Sequence, residues 1–162
     1  MILRQKRVFF VGEMAEKNTA LLQRITVSGH LIVNHTFQHL NGWKPPAQIY
    51  FKDVLKCQQF IDAIVPESSI KLFRPSFGKL TKTQMGILKK EYKINLCEKI
   101  SGDYQPNFSF PGALYLLYET QAGDTVLFHD SIKCYQNLEI LLTKFLAFFS
   151  ARGYTFEILN MD

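Results

Sequence analysis

Residues 8–39 read VFFVGEMAEKNTALLQRITVSGHLIVNHTFQH, and the order of elements within them decides the fold. Val8 to Val11 is a short, wholly apolar run ended by Gly12, the pattern of a strand buried on both faces. Asn18 or Thr19 can cap a helix to about Val27, with Leu21, Leu22 and Ile25 on one face and Gly29 as its stop. Leu31-Ile32-Val33 is a second apolar run. Strand, helix and strand in so short a span make a βαβ unit with parallel strands. Two histidines, His35 and His39, follow the second strand directly, in a segment to Trp43 that reads as loop.

The alternation continues outward. Pro45-Pro46 opens a helix to about Ile64, and Ile70 to Phe73 is a short strand stopped by Arg74-Pro75. Thr81 or Thr83 caps a helix ending near Tyr92, and Ile94 to Ile100 is the next strand. A helix around Gly112 to Thr120 precedes the strand Thr125 to Phe128. A final helix runs from about Tyr135 to Ala151, and Tyr154 to Leu159 is expected to close as a strand. Such a pattern predicts an α/β fold on a parallel sheet, open or closed as a barrel. No repeat or domain boundary is visible, so residues 1–162 read as one domain.

Apolar residues make up 47% and charged residues 20%, a globular rather than a disordered composition. No apolar stretch approaches the ~20 residues needed to span a bilayer. The net charge of +5 is spread along the chain without an aromatic-interleaved basic stripe, which argues against a nucleic-acid partner. Cys57, Cys97 and Cys134 are too few and too scattered for a disulfide framework or a thiolate zinc site. The N-terminus has too few apolar residues for a secretory signal, so the sequence as written is expected in the cytoplasm. A longer N-terminus would allow secretion or a membrane anchor.

The notable polar residues all follow predicted strands: His35 and His39, then Arg74, then Asp103, then His129-Asp130. Active sites of parallel α/β folds assemble at that end of the sheet. Two imidazoles four residues apart would share one side of a helical turn and suit zinc or a similar divalent ion. By itself the spacing does not separate a metal pair from ordinary loop histidines, and a catalytic zinc usually takes three protein ligands. His129 has the chemistry of a general acid or of a hydrogen-bonded strand-end histidine. Arg74 and Asp103 are candidates for an ion pair.

In sequence order these segments resemble the polysaccharide deacetylase family (carbohydrate esterase family 4, the NodB homology domain). The resemblance rests on Gly29-His30 with Asn34-His35-Thr36-Phe37-Gln38-His39, and on Phe73-Arg74-Pro75-Ser76-Phe77-Gly78, similar to Arg-Pro-Pro-Tyr-Gly. Asp103-Tyr104 and Gly123 to Asp130, ending in Leu127-Phe128-His129-Asp130, extend it from about residue 6 to residue 159. It implies an irregular (β/α) barrel and a metal-dependent hydrolase that removes acetyl groups from N- or O-acetylated poly- or oligosaccharides. It further implies His35 and His39 as zinc ligands, the Phe77 N–H as oxyanion donor, and Asp103 and Arg74 as supports of the catalytic base. Leu127 and Tyr104 would line the substrate pocket, and His129 would be the general acid.

The family's first strand carries Thr-Phe-Asp-Asp-Gly, which holds the base and the third metal ligand. Here Met1 stands only a few residues before the second strand, and no Asp-Asp pair occurs. Ser76 replaces a Pro, Phe77 a Tyr, and Cys97 stands where relatives often have Trp. The expectation is therefore an N-terminally truncated domain, its barrel incomplete and its zinc site short of one ligand. Losing a general base alone costs ~10² to 10⁴ in rate, so activity is expected to be impaired. Glu13 or Asp130 is a poor substitute ligand. The alternative is a catalytically inactive, glycan-binding relative or a gene fragment. The strand edge at Val8 to Val11 is expected to favour a homodimer.

Overall fold

The structure is a computed structural model that describes residues 7–65, 71–97 and 99–157, the side chain of Arg7 excepted. The chain divides into two compact units, Met1–Leu96 with Asn160–Asp162, and Cys97–Leu159.

In the first unit, β1 (Arg7–Phe10), β2 (Leu31–Asn34), β3 (Leu72–Phe73) and β4 (Lys93–Ile94) form a parallel sheet in that order. The register pairs Phe10 with Asn34, Asn34 with Phe73, and Phe73 with Ile94. The carboxyl ends of these strands therefore come out level, and the residues that follow them meet. Between β1 and β2 lie α1 (Gly12–Lys17) and α2 (Thr19–Val27). α2 stops as expected at Gly29, whose φ of 77° suits a glycine. The His30 N–H reaches back to the Ile25 carbonyl and the Gly29 N–H to that of Thr26, which closes the end. α3 (Ala47–Ile64) buries Tyr50, Val54, Cys57 and Ile61, a period of three and four that packs one face against the sheet. α4 (Lys82–Leu88) begins with a capping box between Thr81 and Gln84.

The second unit pairs β5 (Lys99–Ile100) in parallel with β6 (Val126–Leu127). α5 (Phe110–Tyr118) and α6 (Tyr135–Ser150) bury Ala113, Leu117, Leu141, Phe145 and Phe149 in one aromatic-rich core. Among the described residues, no helix is long and apolar enough to cross a membrane.

Four expectations change. α1 was not anticipated, because six residues without a side-chain cap give little signal. The run Ile94 to Ile100 is not one strand: Asn95 donates its N–H to Phe73 in the first sheet, whereas Lys99 bonds Thr125 beside β6. No strand forms over 154–157, where Tyr154 instead folds back on α6. Its N–H reaches the Phe149 carbonyl and its ring lies 5.0 Å from that of Phe149. Residues 158 and 159 of that expected strand, and Ile70 of the third, lie outside the described residues. Finally, His35 to His39 is no helical turn, since Thr36 and His39 both have left-handed backbone (φ 66° and 55°).

Candidate active site

The loop after β2 brings its two imidazoles together by a route other than helix geometry. The rings of His35 and His39 stand 5.1 Å apart, edge to face. Nδ1 of His35 lies 2.8 Å from the Arg74 carbonyl oxygen, an acceptor only, so Nδ1 carries the proton and Nε2 keeps its lone pair. A backbone carbonyl behind a histidine in this way is the arrangement that orients metal ligands. The Phe77 ring lies 4.6 Å from that of His39, tilted by 53°.

The loop is fastened on several sides. Asn34, fully buried at the end of β2, accepts the Thr36 N–H at 3.0 Å and donates to the Val54 carbonyl at 2.9 Å. Asp53 on α3 accepts the Phe37 N–H at 2.8 Å and the Gln38 N–H at 3.2 Å. The N–H groups of Gly12 and Glu13, at the start of α1, donate to the carbonyls of Thr36 and Phe37. A side chain at Gly12 would collide with Phe37, its Cβ falling 2.4 Å from the ring, so a glycine is needed for this approach.

Hydroxyls join this loop to the one after β3. Leu40 N–H donates to Thr36 Oγ1 at 3.1 Å, Thr36 pairs with Ser76 Oγ at 3.0 Å, and Ser76 donates to the His35 carbonyl at 2.9 Å. With the Ser76 proton used on that carbonyl, Thr36 must be the donor to Ser76, and each hydroxyl gives one bond. Phe77, next along in the single 3₁₀ turn Ser76–Gly78, has φ 59° and a largely exposed ring. Its N–H has no acceptor among the described residues, as an oxyanion donor requires. Arg74 is buried with its guanidinium 5.0 Å from the Phe9 ring.

In the second unit, Asp103 is fully buried and holds His129 twice. One carboxylate oxygen accepts the His129 N–H at 2.8 Å, and the other lies 2.7 Å from His129 Nδ1. Burial pushes the Asp103 carboxyl up, but the bonds from His129 and Ser101 outweigh it and hold it below the usual carboxylate range. The ring of Tyr104 packs on His129 at 4.5 Å, and Asn137 of α6 donates to the Asp103 carbonyl at 3.0 Å. Leu127 ends β6, half-buried, two residues before His129.

The structure thus joins His35, His39, Arg74 and Phe77 in the first unit, and Asp103, Tyr104 and His129 in the second. Asp53 and Asn137 are supports that the sequence did not single out, and Ser76, which the sequence marks only as a replacement for proline, is a third. Glu13 pairs with Lys17 at 2.8 Å. Among the described residues, no group of three His, Cys, Asp or Glu side chains is placed to hold a metal ion. The imidazole pair fits a divalent cation in donor type, with His35 in a suitable tautomer, and supplies two of the three ligands usual for zinc.

The polysaccharide deacetylase family profile matches residues 5–92, just over half of the chain, including both histidines and the loop after β3. The chain belongs to the polysaccharide deacetylase family. Two Bacillus cereus proteins, each named peptidoglycan-N-acetylglucosamine deacetylase, are similar to it. One is 27% identical over 71% of this chain and 46% of its own length, the other 25% identical over 91% and 70%. The chain therefore spans about half of the first relative. In structure, the polysaccharide deacetylase chain resembles a solved peptidoglycan N-acetylglucosamine deacetylase (TM-score 0.85, 23% identity, 96% of this chain and 73% of the other). It also resembles a carbohydrate esterase family 4 pseudoenzyme from Bacillus anthracis (TM-score 0.79, 16% identity, 96% and 54%). The fold is that of the carbohydrate esterase family 4 deacetylases.

Proposed function

We propose that this polysaccharide deacetylase chain serves in removing acetyl groups from N-acetylated glycans, with a peptidoglycan-like N-acetylglucosamine polymer as the substrate class. The observation that carries the reading is the imidazole pair, with the tautomer of His35 fixed, near the Phe77 N–H, which has no acceptor among the described residues. A zinc ion held by His35 and His39 would polarise the acetyl carbonyl and acidify water. Phe77 N–H donates to the oxygen that gains charge as the carbonyl becomes tetrahedral. By family resemblance His129, in the second unit, would be the general acid for the departing amine; Asp103 bonds its Nδ1 and would stabilise the cationic ring. By the same resemblance Leu127 and Tyr104 would contribute to the substrate pocket, and buried Arg74 would support the catalytic base.

A second reading has its own observation. These 162 residues contain no Asp-Asp pair, and no third ligand joins the histidines among the described residues. A polypeptide of this sequence alone is then a weak hydrolase, or a glycan binder without hydrolysis. Zinc analysis of the purified chain and acetate release from N-acetylglucosamine oligomers decide between the readings. Bound zinc with acetate release lost in His129→Ala supports the enzyme. Glycan retention with no acetate supports the binder, and neither zinc nor glycan binding refutes both.

A further inference from the structure

The backbone of the His35–His39 loop adopts conformations that L-residues disfavour. Thr36 and His39 lie at φ 66° and 55°, in the left-handed region that side chains other than glycine's enter only at a cost. Such a shape persists only when its surroundings impose it. Two side chains outside the histidine motif do so here. Asp53, 8% exposed on α3, points its carboxylate at the N–H groups of Phe37 and Gln38, which lie between the two histidines. Ser76, with no exposed surface, donates to the carbonyl of His35 and accepts from Thr36, the strained residue.

We infer that Asp53 and Ser76 are positioning residues that hold the imidazole pair in its ligand-presenting shape before a cation arrives. This rests on the metal reading above for its purpose but not for its geometry. Asp53 acts by charge-assisted bonds to two successive amides, which fix the direction of the chain between the ligands. Ser76 acts from the opposite side, tying the first ligand's carbonyl to the turn that presents Phe77. Proline, which has no donor or acceptor in its side chain, would remove the bond to the His35 carbonyl and the acceptor for the Thr36 proton.

The test uses the full 162-residue chain, and has two arms. Amide exchange of metal-free protein should show Phe37 and Gln38 protected, and that protection should vanish in Asp53→Ala while other β2 and α3 amides keep theirs. Zinc titration should show affinity reduced about 10- to 100-fold in Asp53→Ala, the range for lost support of a metal ligand, and several-fold in Ser76→Ala. Asp53→Asn, which keeps one acceptor oxygen, should lie between wild type and Asp53→Ala, and it serves if Asp53→Ala does not fold. Amides protected only after zinc is added would overturn the inference, as would variants that bind zinc like wild type. If wild type takes up no zinc, the metal reading fails, and the exchange arm alone still decides this one.

Discussion

Asp103 receives both the ring and the backbone of His129, at 2.7 Å and 2.8 Å, so one carboxylate fixes the position and rotation of the imidazole together. The pairing also fixes the tautomer. Neutral His129 should carry its proton on Nδ1 and show an unprotonated Nε2 in nitrogen-edited NMR spectra.

Asp103→Ala removes the acceptor for both donors from a fully buried place. Leaving such groups unpaired costs about 1–3 kcal/mol each, so the thermal midpoint should fall clearly. Asp103→Asn can keep one acceptor and should lose less. Equal midpoints for wild type and Asp103→Ala would show that the pair has no stabilising role.

The same carboxyl sets an acid limit. Its proton affinity is lowered in the folded chain despite the opposing effect of burial. A depressed folded-state value adds stability at pH above the unfolded value, about 3.9 for Asp, and loses it as the pH falls through the folded value. Wild type should therefore exceed Asp103→Asn in denaturant midpoint at pH 6, with the gap shrinking below about pH 4. A gap undiminished at pH 2 would contradict the assignment.

Tyr50 gives a prediction of opposite sign. It is fully buried in the cluster with Val54, Phe73, Leu88 and Tyr92, and its hydroxyl has no partner among the described residues. Burial pushes its ionisation well above the ordinary tyrosine value. Tyr50→Phe should leave stability unchanged or raise it by about 1 kcal/mol, since an unpaired buried hydroxyl costs that much or more. A loss of more than that would reveal a bond to the hydroxyl.

Cys57 should be inert. It is fully buried on α3, its Sγ is 3.7 Å from the Phe10 carbonyl, and burial pushes the thiol up to about 12. Alkylation near pH 8 should mark half-buried Cys97 first and reach Cys57 only on unfolding, as peptide mass spectrometry would show. Early labelling of Cys57 would place it nearer solvent than the packing of α3 allows.

The alternation of apolar runs and helices was legible because βαβ units write each element as a separate block. α2, α3 and α6 stand close to where the sequence puts them, after Asn18 or Thr19, after Pro45-Pro46 and from about Tyr135. What a pattern cannot carry is the identity of a strand's partner. Ile94 and Ile100 look like one strand, yet each joins a different sheet, and apolar Tyr154 and Phe156 pack against α6 instead of entering a ladder. His35, His39, Asp103 and His129 stand out as residues at strand ends, but the partner expected for Asp103 is Arg74, and the structure gives it His129. Asp53 and Ser76 do not stand out as supports, because a helical aspartate and a loop serine look like surface until the fold buries them.

The hydrogen-bond relay from Leu40 through Thr36 and Ser76 to His35 has a direction, and every proton in it is committed. Neither hydroxyl has exposed surface, and neither retains a donor for a visiting water molecule. Solvent thus finds no spare hydroxyl proton behind the His35 carbonyl, and the link between the two loops stays dry.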